Sequence, residues 1–339
     1  MNNFAYTKAT DVNQAIARLN GNTQNKIVAG GTNINDLLKY FVTTADTLVD
    51  INPITENHDI TQLENGGVRL GAIVTNADTA YHPVIELRYP LLSKAILAGA
   101  SAQIRNMATD GGNLLQRTRC YYFYDVNTPC NKREPGSGCS AINGYNRIHA
   151  ILGQSDSCIA VFPSDMCVGL AALGATVNIS GPEGDRVLAF ADFHRLPGDK
   201  PHIDNNLQHG EIITGIDLPA KGFEKNYSYL KLRDRASYAF ALVSVATGLD
   251  LDGTTINEAR IALGGVAHKP WRVIEAEDFL KGKEATADNF AAAADIILAD
   301  AKGYEHNSFK IPLAKKAIVR NCMMALNPES QRPGAQPSL

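Results

Sequence analysis

Apolar positions recur along this chain with the helical and strand periods in alternation. Val12, Ala15, Ile16 and Leu19 share one helical face of residues 11–19, and Lys26-Ile-Val-Ala29 follows as a short strand. Residues 34–40 return to the helical period and 47–51 to a strand, so the first fifty residues predict a small α/β unit. The pattern continues with a strand over 68–73 and helices over 76–82 and 91–99, and lapses between 116 and 154. It resumes at Pro163-Ser164-Asp165, which opens a helix with Met166, Leu170 and Leu173 on its buried face and Cys167 as a core thiol. Strands over 176–179, 186–190 and 211–218 predict a second sheet, with Gly181-Pro-Glu-Gly as a turn. Beyond Pro219 come strands over 227–232, 241–251 and 258–266 and amphipathic helices over 286–301 and 308–326, a C-terminal α+β domain.

Composition narrows the function. At 339 residues, 45% of them hydrophobic, the chain exceeds one ordinary core and predicts two or three domains. A net charge of −3 with both signs interspersed leaves no broad basic field, so no nucleic-acid partner is expected. No apolar run reaches the roughly eighteen residues of a membrane span, so no membrane insertion is expected. The opening Met-Asn-Asn-Phe-Ala-Tyr-Thr-Lys has neither a twin arginine nor an apolar core, so no signal peptide is expected.

Two glycine turns and a group of cysteines carry the candidate chemistry. Gly30, Gly31, Thr32 and Asn33 lie between a strand and a helix, where backbone N–H groups can converge on a phosphate, although the spacing is not the G-x-G-x-x-G fingerprint. Gly111 and Gly112 form a second such turn, flanked by Thr109 and Asn113. Two turns of this kind suit one ligand with two phosphates; an ordinary closing turn is the alternative for each. Asp165 either caps its helix or accepts hydrogen bonds from a nucleotide. Lys231 to Tyr238 form a charged connection whose aromatic ring could lie against a flat cofactor; an exposed hairpin is the alternative.

Cys120, Cys130, Cys139 and Cys158 are spaced C-x9-C-x8-C-x18-C, within the irregular stretch. A structureless loop of roughly forty residues inside a domain needs an explanation. Thiolates bound to metal would pin it in place of a hydrophobic core. Arg117, Arg119, Lys132 and Arg133 would offset the negative charge. Zinc on the same thiolates is the alternative to iron and sulfide, and Cys167 the substitute for Cys158 as fourth ligand. Cys322 reads as a core thiol.

In this order the motifs resemble the FAD-binding medium subunit of the xanthine dehydrogenase and carbon monoxide dehydrogenase family of molybdenum hydroxylases. Val28-Ala29-Gly30-Gly31-Thr32-Asn33, continuing into Ile34, looks like the family's first pyrophosphate loop. Ala108-Thr109-Asp110-Gly111-Gly112-Asn113 looks like the second, and Pro163-Ser164-Asp165 like its acidic nucleotide site. Tyr229-Leu-Lys231, Arg235 and Leu263-Gly-Gly-Val-Ala267 resemble the C-terminal flavoprotein domain. The cysteine loop narrows the resemblance to the flavin subunit of bacterial, periplasmic-type aldehyde oxidoreductases, in which a [4Fe–4S] cluster occupies this insertion.

The resemblance implies an α+β fold: a two-part FAD-binding domain of the vanillyl-alcohol-oxidase/CO-dehydrogenase flavoprotein type over 1–219, plus an α+β C-terminal domain over 220–330. The first domain would divide near 55–56 and carry its iron–sulfur insertion at about 116–160. The cofactors implied are FAD and one [4Fe–4S] cluster on Cys120, Cys130, Cys139 and Cys158. Asp165 would bind the adenosine end, with Lys231 and Tyr238 near the isoalloxazine. The partners implied are a large molybdenum-cofactor subunit, a small [2Fe–2S] subunit and an external electron acceptor. No residue here is expected to act as acid, base or nucleophile. The complex would be periplasmic by co-export with a signal-bearing partner, or cytoplasmic. A hydroxybenzoyl-CoA reductase-type flavin subunit is the near alternative; an iron–sulfur scaffold without redox-active flavin and a free-standing flavoprotein oxidase are the distant ones.

Overall fold

Local capping begins the fold. The Asp11 side chain accepts the N–H of Gln14 at 2.9 Å and starts the helix Val12–Asn20. That helix is the crossover that parallel strands require. It joins β1 (Ala5–Lys8) to β2 (Lys26–Val28), and both pair in parallel with β3 (Thr47–Asp50) in the order β1-β3-β2. The periodicity does not reveal β1, whose four residues are only partly covered. The computed structural model describes residues 1–328 and 331.

The second sheet draws on distant segments. Its strands are β4 (Ile60–Gln62), β5 (Val68–Gly71), β6 (Thr176–Gly181), β7 (Gly184–Ala189) and β8 (Ile212–Leu218), ordered β4-β5-β8-β6-β7 and antiparallel throughout. Leu70 opposite Ile216 and Val177 opposite Ile216 place fully buried side chains in the main core. The third sheet is a meander, β12-β11-β10-β9, built from β9 (Asn226–Leu232), β10 (Val243–Asp252), β11 (Thr255–Gly264) and β12 (Trp271–Arg272). Helices Ala287–Ile297 and Lys310–Ala325 bury their apolar faces with this sheet in a second core. Asn321 pins the longer one, donating to the carbonyls of Ser228 and Val245 at 3.1 and 3.0 Å.

One helix packs the first core against the third sheet. Ser164 caps Asp165–Leu173 by accepting the N–H of Cys167, and Gly174 closes it at φ +72°. All nine of its residues are buried. A Cβ at Gly169 would lie 3.2 Å from the Ala95 side chain on one side, and one at Gly264 would lie 2.5 Å from Val168 on the other, so neighbours press close on both faces of this helix. Cys167 is fully buried here, as expected of a core thiol.

The irregular stretch is less structureless than its sequence suggests. Tyr121–Tyr124 is helical, the backbones of Cys130 and Cys139 pair in an isolated antiparallel β-bridge, and the Asn131 side chain accepts from the N–H groups of Gly136 and Gly138. Phe123, Ile159, Leu37 and Val42 join Cys120, Cys130 and Cys158 in a small apolar core. The expectation that metal bonds replace a core is thus corrected: the loop has one. No helix among the described residues is long and apolar enough to cross a membrane.

Candidate functional site

A cleft of about 1040 Å³ is lined by loops from all three sheets. Ala29, Gly30, Gly31, Thr32, Asn33 and Ile34 line it, as do Thr109, Gly111, Gly112, Asn113, Asp165, Lys231 and Tyr238. Val28 is not among the lining residues; it pairs with Asp50 at the end of β2. Lys26, Arg105, Arg117 and Arg119 add positive charge to the wall. The Nε atoms of Arg105 and Arg119 are buried without a partner among the described residues, two donors available to an anionic ligand.

The two glycine turns meet, but they are not equivalent. A Cβ on Gly30 would lie 1.7 Å from the carbonyl oxygen of Met107, so this glycine is required where one turn crosses the other. Gly31 sits at φ +70°. Among the described residues no acceptor takes the N–H groups of Gly30, Gly31, Thr32 or Asn33, which leaves them for a ligand. In the second turn the donors are already used: Gly111 N–H donates to the Ala72 carbonyl at 2.8 Å, Gly112 to the Thr109 hydroxyl at 3.2 Å and Asn113 to the Thr109 carbonyl at 2.8 Å. A helix cap, the helix itself and a tertiary contact consume them. Beneath it, burial pushes the Asp110 carboxyl up to about 7, against hydrogen bonds from Thr79 and from Asn76 at 2.7 Å.

Asp165 and Lys231 are one unit. Lys231 Nζ lies 2.7 Å from Asp165 Oδ2 and donates to the Ala98 carbonyl at 3.0 Å, and the Tyr229 hydroxyl donates to Asp165 Oδ1 at 2.7 Å. Strand alternation puts Tyr229 and Lys231 on one face of β9, and both converge on the first residue of the central helix. Burial, and then the Asp165 carboxylate, hold the Tyr229 hydroxyl well above its ordinary range. Capping falls to Ser164 rather than Asp165. Tyr238 stands at the cleft with 58% of its surface exposed and φ +51°, its carbonyl accepting from Arg235.

The four spaced cysteines line one small void of about 10 Å³ with Phe123 and Lys132, and all are free thiols. Among the described residues no three His, Cys, Asp or Glu side chains are arranged to hold a single metal ion. A hydrogen bond from Cys158 holds Cys139 down at about 6, and that bond, followed by burial, pushes Cys158 up. Burial pushes Cys120 up to about 12. The basic neighbours are mostly committed elsewhere. Lys132 and Arg117 both pair with Asp204, and Arg133 donates to the carbonyls of Tyr122, Phe123 and Thr128. Although burial opposes its charge, those two cations hold Asp204 at about 2. Sequence reasoning gave no role to His149, whose Nε2 lies 3.1 Å from Cys120 Sγ, or to Asp204. Nothing in their local pattern signals either contact, since Cys120 is 29 positions from His149.

The two sites touch. The Asn33 side chain accepts the N–H of Arg117 at 2.9 Å and donates to the Tyr124 hydroxyl at 3.4 Å, so the first glycine turn is tied to the start of the cysteine loop.

Known proteins resemble this chain in sequence and fold. Residues 2–221 match the family of the FAD binding domain in molybdopterin dehydrogenase, and 227–320 the CO dehydrogenase flavoprotein C-terminal domain. The chain is 49% identical to the aldehyde oxidoreductase FAD-binding subunit PaoB of Escherichia coli (strain K12), over 86% of this chain and 89% of that one. It is 29% identical to the glyceraldehyde dehydrogenase medium chain of Sulfolobus acidocaldarius, over 84% and 83%. The structure of quinoline 2-oxidoreductase from Pseudomonas putida 86 superposes with a TM-score of 0.74 at 25% identity, covering 96% of this chain and 98% of that one. The chain belongs to the FAD-binding medium subunits of the xanthine dehydrogenase family, and is an oxidoreductase subunit.

Proposed function

We propose that this family member is the FAD- and [4Fe–4S]-binding electron-transfer subunit of a heterotrimeric molybdenum-containing aldehyde oxidoreductase. It would receive electrons from the [2Fe–2S] clusters of a small partner, with substrate chemistry on a large molybdenum-cofactor partner, and deliver them to an external acceptor. The observation that carries this reading is the convergence of four cysteines on one void beside the cleft of a flavin-family fold. The 49% identity to an aldehyde oxidoreductase subunit favours the aldehyde class.

In the cleft, the free N–H groups of Gly30 to Asn33 and the unpartnered Nε atoms of Arg105 and Arg119 are the donors assigned to the diphosphate. Thr109, Gly111, Gly112 and Asn113 shape the opposite wall. The Lys231–Asp165–Tyr229 set fixes the central helix against β9, and Tyr238 is assigned to the flavin ring. FAD, when bound, supplies storage for two electrons that arrive singly.

In the loop, Cys120, Cys130, Cys139 and Cys158 are assigned to the cluster. The donor set favours it: four thiols around one void, three of them buried. In a tetranuclear cluster each thiolate binds a different iron, so the sulfurs stand further apart than around a single ion, and the void must widen to admit it. We place the insertion at about 116–160, the boundary between the two large domains near 219–220, and the division of the first near 55–56. The compartment is that of the partners: periplasm if one carries an export signal, cytoplasm otherwise.

Iron, acid-labile sulfide and FAD analysis of the purified complex, with electron paramagnetic resonance after reduction, tests the reading. About four irons beyond those of the small subunit are expected, and Cys130→Ser should abolish the added signal while leaving FAD bound. Zinc in their place would overturn the cluster, and absence of flavin would leave only a scaffold.

A further inference from the structure

His149 is the residue around the four cysteines whose position the reading above does not use. Its side chain is buried, at 1% exposure, and its Nε2 lies 3.1 Å from the sulfur of Cys120. Among the described residues no other side-chain nitrogen is hydrogen-bonded to Cys120, Cys130, Cys139 or Cys158. His149 is held from several sides, mostly through its backbone. Its backbone carbonyl accepts from Lys310 Nζ at 2.8 Å and from Asn307 Nδ2 at 3.2 Å, its N–H donates to the Asn146 carbonyl at 3.0 Å, and its ring lies against Tyr122 with centroids 6.4 Å apart. The other ring nitrogen, Nδ1, has no partner among the described residues.

The chemistry of the pair depends on what the sulfur carries. A free Cys120 thiol can donate to an unprotonated Nε2. A thiolate bonded to iron has no proton, so the contact persists only if Nε2 carries the hydrogen and donates. With Nδ1 unpartnered, no other hydrogen bond opposes that tautomer. Hydrogen bonds to the sulfurs of an iron–sulfur centre stabilise its more negative, reduced form.

We propose that His149 is a positioning residue of the cysteine site, whose Nε2–H donates to the Cys120 sulfur and raises the electron affinity of the cluster bound there. This rests on the cluster assignment made above.

The test is a redox titration of the assembled complex, followed by electron paramagnetic resonance, in the wild type, His149→Phe and His149→Gln. Phe fills the ring's space without a donor; Gln retains one. The cluster in His149→Phe should titrate at a lower potential, with a roughly tenfold change in the oxidised-to-reduced ratio at fixed potential, about 59 mV for a one-electron couple. The flavin should not shift. His149→Gln should stay near the wild type. An unmoved potential in a fully iron-loaded His149→Phe complex overturns the inference while leaving the cluster intact, and so does a shift of equal size in both variants. A wild type without the extra iron and sulfide overturns the cluster and the inference together. Should His149→Phe not assemble, pulsed resonance on complex labelled with ¹⁵N-histidine decides: a nitrogen coupling to the cluster, lost in His149→Gln, supports the hydrogen bond, and its persistence there refutes it.

Discussion

Lys231 and Asp165 form a buried ion pair, Nζ to Oδ2 at 2.7 Å with side chains only 3% and 8% exposed, between β9 and the helix Asp165–Leu173. Desolvation makes such a pair costly to break and cheap to replace. Lys231→Met should leave Asp165 charged and uncompensated, with a loss of about 3–5 kcal/mol in urea unfolding. Lys231→Met combined with Asp165→Leu should recover most of it. Equal losses in the single and double variants would show that the pair is not coupled.

Gly30 has a separate use. Its Cβ position falls 1.7 Å from the Met107 oxygen, so Gly30→Ala must push the two turns apart. Flavin binding, followed by fluorescence on release, should weaken by at least about tenfold, equivalent to 1.4 kcal/mol. Gly136→Ala is the control. Its φ of +88° adds strain on the cysteine loop, yet nothing lies within 4 Å, and flavin content should stay unchanged.

Asp204 predicts an acid-side loss. Its folded value of about 2 lies below the ordinary carboxylate value, so the unfolded chain takes up its proton first as pH falls. Its contribution is complete above about pH 4 and declines towards pH 2, by about 2 kcal/mol in all. Thermal unfolding across that window should show a shallower slope in Asp204→Asn, which is also less stable at neutral pH because Lys132 is left buried without its partner.

Asp110 predicts the opposite slope. Burial raises its folded value to about 7, so the folded state keeps a proton that the unfolded chain releases near pH 4. Stability from this group is therefore full below pH 4 and falls as pH rises to about 7, by about 2–4 kcal/mol. Asp110→Asn should flatten the decline and be the more stable protein at pH 8. A wild-type curve that rises between pH 5 and 7 at this position, judged against the variant, would refute it.

Much of the fold was legible because the long elements carry their own period. The helix over Asp165–Leu173, the strands Val243–Asp252 and Thr255–Gly264 and the last two helices need only apolar spacing and caps. The short strands Ala5–Lys8 and Ile60–Gln62 and the helix Tyr121–Tyr124 were not, since so few residues give no period. Both glycine turns were visible as turns, but which had donors to spare was not, because the acceptors at Ala72 and Thr109 are set by tertiary packing and a cap. The pairing of Lys231 with Asp165 spans 66 positions. Only the alternation that aligns Tyr229 with Lys231 hinted at it. The four cysteines announced themselves by clustering, whereas the commitment of Lys132 and Arg117 to Asp204 rests on a loop that the sequence reads as plain.

The Asn33 side chain spans from the first glycine turn to Arg117 and Tyr124. Ordering either end therefore lowers the entropy still to be lost at the other, and by thermodynamic reciprocity the benefit is equal in both directions. If the cysteine loop takes the cluster proposed above, a subunit that has acquired one prosthetic group is expected to be the better acceptor for the second.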